Sequence, residues 1–474
     1  MSPWTSAAGV DDDDDVILPA TQPGPHSRFA DTIKNGKLVS VQADPDFDVE
    51  EAEFLDLTLP EPDVGFRPWL SVIGGLAAQF SSFGYLNIVG VFLAYYKTHQ
   101  LEDLSPATIS WIGSVQSFVF SLSGIVCGRA CDMYGPRVLT MIGTFVLPAG
   151  ILLTAFCTRW IEVLIAQSVI APFGGAMLFY GTTASMSSWF AKRRGMAFGI
   201  ATSGSSIGGV ILSYIFDRLA THKSYKRAIF ALAAIEFCVA AVTIPTSSLR
   251  IKSGNNARRS FDFHRNFIRP FETEPVFALF TLAMTVIYLG IFVPYAFMAT
   301  HSLTLGVPLD RAMHVVTAMN AGSFFGRIAA GSIADIRAHS RRWQFLTFVG
   351  VTSCAALACF PLWFMSTTEY SVVFTAAIYG AASGGILALY PAAIARISPL
   401  QEIGSRVGAV SSVMAFGSLV ALPVAGTIMG KSSGGEDFGG LQIYAGTVLA
   451  GGAFVAYLAS KRVDEGNIRL EDDS

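Results

Sequence analysis

The chain predicts an all-α polytopic membrane protein of twelve transmembrane helices in two six-helix halves, and three observations carry that prediction. Of 474 residues, 52% are hydrophobic and only 14% charged, a balance far too apolar for a soluble chain of this size. Twelve apolar segments follow one another, each near the roughly 20 residues that a bilayer core demands. Cations collect at alternate connections between them, the pattern that fixes orientation during insertion.

Taken in order, residues 1–60 contain no apolar run and include five consecutive acids, Asp11 to Asp15. Residues 1–63 hold 15 Asp and Glu against 3 Lys and Arg, whereas the remainder holds 20 against 29. That composition cannot bury enough surface to offset chain entropy, so it reads as a disordered acidic cytoplasmic tail, either solvated or contacting a partner protein of unknown kind. No basic and then apolar leader opens the chain, and the first helix is expected to direct insertion. The apolar segments cover 69–94, 107–129, 138–157, 161–186, 195–215, 228–249, 276–299, 312–334, 344–365, 370–395, 406–429 and 440–459. One long, basic connection, the linker 250–274, divides them into an N-terminal half (61–249) and a C-terminal half (275–460), followed by a short cytoplasmic tail (461–474). Leaving out the residues before the first segment, nineteen Lys and Arg fall on one side of the segments and eight on the other, which places both termini in the cytosol.

The halves repeat weakly. Gly128 to Asp132 after the second segment and Gly331 to Asp335 after the eighth share the pattern G-x-x-x-D at an offset of 203 residues, and the first and seventh segments begin 207 apart. Paired halves of this kind enclose a solute site near the midplane in many secondary transporters. Lys192, Arg193 and Arg194 precede a run rich in Gly, Ala and Ser, which reads as a cytoplasmic hinge leading into a helix whose small face lets another backbone approach.

Three stretches carry a resemblance. Residues 192–204, K-R-R-G-M-A-F-G-I-A-T-S-G, resemble the fifth-helix signature of the monocarboxylate-porter family within the major facilitator superfamily, departing at Ser203 where that family usually has Ala. Residues 62–69, P-D-V-G-F-R-P-W, resemble its entry motif in the form of the fungal branch, with Val64 for Gly and Pro68 for Ala. Residues 128–137 resemble the superfamily loop G-x-x-x-D-x-x-G-x-R. The resemblance spans about residues 60 to 460 and implies the superfamily fold, gradient-driven alternating access, no cofactor, and a place in the cell membrane, with the vacuolar membrane as second choice.

Candidate gate residues follow from those motifs. Asp132 and Arg137 would stand at helix ends on the cytosolic face, where charge pairs and helix dipoles latch a gate, together with Gly128, Asp335 and the 192–194 cations; the alternative is a topological charge pair without a gating role. Gly135 is expected to supply the tight turn through a positive φ.

Polar residues inside apolar segments should mark the solute path. Arg327 is the one Lys or Arg well inside a segment. The resemblance puts it where the family meets an anionic substrate, and the alternative is a cation near the cytosolic end that pairs with Asp335. Asn87 stands where animal members of the family carry a substrate lysine, and Ser323 where they carry an acidic proton site. Proton-coupled lactate transport is therefore not implied. Asn320, Tyr180 and Tyr295, with Tyr85, Tyr288 and Tyr390, fall on helices that line the cavity in this superfamily and suit an aromatic or amphipathic solute, simple packing being the alternative for any one of them. Glu236, in the middle of the sixth segment, is either a substitute proton carrier or a structural hydrogen-bonding group.

Other functions find little support. Gly204 to Gly208 fits G-x-S-x-G but lies inside an apolar segment rather than at a strand-to-helix elbow, and Gly426 to Ser432 is one residue short of a Walker A spacing. The seven His are scattered, the six Cys form no CxxC pair, and basic loops are explained by topology, so no metal, nucleotide, nucleic acid or catalytic centre is expected. The expected activity is movement of a small organic solute, a monocarboxylate or other organic anion first, with proton coupling open. The alternative is export of a secondary metabolite from a biosynthetic gene cluster, and a third reading is a non-transporting nutrient sensor. Membrane lipid is the remaining partner.

Overall fold

The structure, a computed structural model, describes residues 29–34, 37–42, 63–250, 264–337, 340–399, 402–429 and 438–472. The chain divides into two units, Met1–Leu59 and Pro60–Ser474. In the first, Phe29–Lys34 and Lys37–Gln42 pair antiparallel, from Phe29 opposite Gln42 to Lys34 opposite Lys37. The two residues between them read Asn-Gly, the strongest short hairpin signal. That local chemistry is where the expectation of a structureless tail differs from the structure; the Asp11–Asp15 run lies outside the described residues.

Among its described residues the second unit carries twelve membrane-length helices: α1 (Phe66–Gln100), α2 (Thr108–Tyr134), α3 (Pro136–Leu153), α4 (Trp160–Trp189), α5 (Arg194–Ala220), α6 (Tyr225–Thr246), α7 (Pro275–Thr304), α8 (Leu309–Asp335), α9 (Arg341–Trp363), α10 (Glu369–Arg396), α11 (Ile403–Met429) and α12 (Phe438–Val463). Eleven are long and apolar enough to cross a membrane. The exception is α8, whose 27 residues are long enough but are interrupted by Asn320, Ser323 and Arg327. Helical structure continues past α12 to Asp472, where the sequence predicts a tail from 461. Much of the linker, 251–263, lies outside the described residues; beyond it a short helix, Arg269–Thr273, leads into α7.

Helix ends follow local chemistry. Ser105 accepts from the Thr108 N–H as α2 opens, Ser340 from Trp343 before α9, and Thr368 from Ser371 before α10, each satisfying an orphan donor. Between α2 and α3, Gly135 takes φ 85° and Pro136 opens the next helix, so the expected tight turn is present.

Small residues decide which helices touch. A Cβ on Gly204 of α5 would lie 2.2 Å from the Leu76 carbonyl oxygen of α1, and one on Gly326 of α8 2.0 Å from that of Ala381 in α10. Each half is thus drawn together along one backbone seam, α1 on α5 and α8 on α10. Across the halves the corresponding seams are α2 on α11 and α5 on α8. Large apolar side chains such as Phe325, Phe374 and Phe416 remain exposed on the outside, as a hydrocarbon surround permits.

Candidate functional site

The end of the bundle that carries Asp132, Arg194, Asp335 and Arg406 is closed by two reciprocal contacts between the halves. Asp132, at the end of α2, accepts from the backbone N–H of Gly404 (3.0 Å) and Ser405 (2.7 Å) and from the Ser405 hydroxyl, all at the start of α11. Asp335, at the end of α8, accepts from the N–H of Gly195 (2.9 Å) and Met196 (2.7 Å) at the start of α5. In both cases a carboxylate sits on the positive end of a helix dipole and takes up donors that the first turn cannot use itself.

The glycine of each G-x-x-x-D pattern makes the contact sterically possible. It lies one turn before the acid, on the same face. A Cβ on Gly128 would approach the Gly404 carbonyl oxygen to 2.1 Å, and one on Gly331 the Gly195 carbonyl oxygen to 2.2 Å. Neither position accepts a side chain without separating the helices.

The cations divide. Arg194 is buried and donates to the carbonyls of Phe190 (2.9 Å), Ser187 (3.0 Å) and, across the halves, Ala395 (2.8 Å). Arg396 returns the exchange to the Ala191 carbonyl at 2.8 Å. Lys192 and Arg193 are exposed. Arg137 donates to the Ser247 carbonyl at 3.1 Å, inside its own half. Where the sequence places Arg137 at a latch of charge pairs and helix dipoles, its described hydrogen bond goes instead to a backbone carbonyl just past the end of α6.

Deeper between the halves lies a narrow gap with room for little more than a water, lined by Gln79 and Phe83 of α1, Phe179 of α4, Thr202 of α5, Arg327 of α8, and Leu387 and Tyr390 of α10. Arg327 is 4% exposed. Its Nε donates to the Ser323 hydroxyl at 3.1 Å, and Nη1 reaches the Thr202 carbonyl and the Ser205 hydroxyl. It does not pair with Asp335, which is occupied by α5. Among the described residues no carboxylate pairs with it.

The other expected site residues scatter around this point. Tyr295 is half-buried on α7, its hydroxyl 3.1 Å from that of Ser383 on α10. Asn87 is exposed and lines no part of the cleft, but its Nδ2 donates to the Ser205 carbonyl at 3.3 Å, so it shares a neighbour with Arg327. Asn320 turns back on its own helix, to the Val316 carbonyl at 3.1 Å. Tyr180 is buried against the α2 and α11 seam, with its hydroxyl 3.4 Å from the Ser121 carbonyl. Asn320 and Tyr180 thus stand outside the cleft wall, because the backbone of its own helix takes up the Asn320 amide and the α2–α11 seam the Tyr180 hydroxyl. Glu236 is fully buried inside the N-terminal half, and neither carboxyl oxygen has a hydrogen-bond partner. Gln79, Thr202 and Ser205 went unremarked in the sequence; each is a small or neutral polar residue on an apolar helix, and nothing in the local pattern separates it from packing polar residues nearby. Among the described residues no group of three His, Cys, Asp or Glu could hold a metal ion.

Two pseudo-equivalent helix-capping acids at one end, and a buried arginine between two six-helix halves, fit the build of many secondary transporters. The family model of the Major Facilitator Superfamily matches residues 75–356 and 276–473, and the chain belongs to that superfamily. It is 32% identical to the MFS transporter asaE of Aspergillus flavus over 86% of this chain and 90% of that one. It is 31% identical to the Fujikurins efflux protein of Gibberella fujikuroi over 83% of each chain, and 30% identical to the Aspyridones efflux protein apdF of Emericella nidulans over 84% of this chain and 78% of that one. Among solved structures, the E. coli fucose:proton symporter FucP has the same fold, with a TM-score of 0.61, 12% identity, and 82% of this chain and 98% of that one covered.

Proposed function

We propose that this superfamily member exports a small organic anion with an aromatic or otherwise apolar body, as a secondary-metabolite exporter does. The observation that carries the reading is Arg327, a guanidinium buried in the wall of the cleft and held by neutral groups. A buried cation costs several kcal/mol unless compensated, and a carboxylate or enolate on a solute supplies the missing charge with bidentate geometry. Ser323 strengthens the point, since its hydroxyl accepts from Arg327 where an acid would neutralise it. Phe83, Phe179 and Tyr390 give the cleft aromatic walls for an apolar body. A short monocarboxylate is the smallest member of this cargo class, and the monocarboxylate-porter resemblance favours it over a neutral sugar. The names of two relatives, efflux proteins for fujikurins and aspyridones, favour export over uptake.

In this reading the closed, cation-rich end faces the cytosol, both termini lie there, and the protein resides in the cell membrane. The energy comes from a gradient, with Glu236 as proton carrier. Glu236 suits that part as a fully buried acid with neither carboxyl oxygen hydrogen-bonded.

Comparative metabolomics of cells and medium, with and without the gene, identifies the cargo. Arg327→Ala is expected to lower export of an anionic cargo by about 100-fold, the loss of a charge-assisted pair, with surface expression retained, and Arg327→Lys is expected to restore only part of it. Unchanged export by Arg327→Ala removes the proposal. Glu236→Gln, of the same shape and neutral, is expected to abolish dependence of accumulation on the pH gradient; dependence retained at full strength assigns Glu236 to structure.

A further inference from the structure

The two acids that reach across the halves grip the first turns of α5 and α11, and what holds those turns in place has not been assigned. Asp63 lies three residues before α1, with a left-handed φ of 63° that Asp tolerates better than most residues. Its carboxylate accepts from three consecutive backbone N–H groups of the connection between α4 and α5: Ala191 (3.0 Å) and Lys192 (2.8 Å) through Oδ2, and Arg193 (3.0 Å) through Oδ1. Its own N–H donates to the Trp189 carbonyl at 3.0 Å. Three of the four backbone N–H groups between Trp189 and Arg194 are therefore taken by one side chain, the fourth, that of Phe190, donating to the Met186 carbonyl.

The loop so fixed is the one that meets the other half. Ala191 offers its carbonyl to Arg396, and Arg194 reaches Ala395. The C-terminal half repeats the device with different chemistry. Glu274 stands immediately before α7 and takes Arg406, at the start of α11, in a two-pronged ion pair of 2.7 Å on each prong. An acid just ahead of the first helix of each half thus clamps the entrance to the fifth helix of the same half.

We propose that Asp63 is a positioning residue for the gate: by fixing the 191–193 backbone, it holds the entrance of α5 in the pose that Asp335, Arg396 and Ala395 engage, and so favours the state closed at this end. The proposal rests on the reading of this end as a gate. It assigns a role to the acid of the entry motif, whose sequence context explained only the anchoring of Trp69.

The test needs no cargo. Spin labels carried by non-native amino acids at Tyr134, after α2, and at Ile336, after α8, are exposed and report the separation of the halves at this end. In the purified full-length protein, Asp63→Ala is expected to raise the ratio of long to short separations about tenfold. Asp63→Asn keeps the backbone conformation but turns a donor toward the loop, so it is expected to shift the ratio in the same direction and carries the test if Asp63→Ala fails to fold. Because Asp63 acts through the loop, its effect is expected to shrink in an Arg396→Gln background, which lacks the acceptance by Ala191. An unchanged distribution in folded Asp63→Ala or Asp63→Asn, or strictly additive effects with Arg396→Gln, overturns the proposal. Asp132→Ala run alongside separates the two claims. A shift there without one at Asp63 sinks the positioning role alone, while no shift in either sinks the gate reading as well.

Discussion

The α2–α11 and α8–α5 seams share a frame and differ in what fills it. Gly124, Gly128 and Asp132 of α2 correspond, at the repeat offset of 203 residues, to Arg327, Gly331 and Asp335 of α8. Their partners match as well, with glycines four apart, Gly404 and Gly408 on α11 and Gly195 and Gly199 on α5. At the deepest of the three positions the halves part. A Cβ on Gly124 would meet the Tyr180 hydroxyl at 2.6 Å and the Gly408 carbonyl oxygen at 2.7 Å, so this seam is closed over by backbone and a tyrosine. The equivalent position in the other seam is Arg327, whose carbonyl oxygen lies against Gly199 while its guanidinium turns to the cleft. One repeat yields a smooth closing surface, and the other yields closure plus a charge. On the proposed reading, a solute's charge is thus met by one half alone.

The acids differ too. Asp132 is 7% exposed and has the Ser405 hydroxyl as a third donor; the residue equivalent to Ser405 is Met196, and the half-buried Asp335 has two backbone donors. The α2–α11 contact should therefore be the stronger of the two.

These differences can be broken one at a time. The largest effect is expected at the deepest position: Arg327→Ala removes cargo handling, whereas Gly124→Ala leaves the cargo's affinity alone and separates the halves, read as long distances between labels at 134 and 336. Equal loss of cargo binding in the two variants would refute the division of labour. Next come the acids. Asp132→Ala is expected to destabilise the closed state by about 2 to 3 kcal/mol and Asp335→Ala by about 1 to 2, from the number of hydrogen bonds to charge that each loses. The same distance measurement, converted to a population ratio, checks the order, and a larger effect at Asp335 would reverse the comparison. The smallest effect is expected from Ser405→Ala, about 1 kcal/mol, which should bring the first contact down to the level of the second. Met196→Ser should raise the second by a similar amount if its hydroxyl reaches Asp335; no change in either leaves the hydroxyl without a part in closure.

Much of this was legible in the chain. The G-x-x-x-D repeat located both acids, and the intrasegment arginine located the cleft. Gly135 was expected at a turn and takes φ 85° there. The misplaced residues fail in a common way: Arg137, Tyr180 and Asn320 were put on the right helices, but their side chains turn to the seam or to their own half rather than to the gate or the cleft. Asp63 lay within a quoted motif, yet its partners at 191–193 are about 130 residues away and are backbone groups that no side-chain pattern displays.

The sequence by itself determined the number and order of the helices, because these depend on residues close together in the chain meeting a solvent of uniform apolarity. It also placed the acids and glycines at helix ends. The tertiary structure alone decided which face of each helix meets which neighbour. In a membrane, the lipid and the protein interior are equally apolar, so hydrophobicity does not mark an inward face. Facing is settled instead by where two backbones can touch, Gly128 on Gly404 and Gly331 on Gly195, and by which carboxylate then finds a helix end to cap.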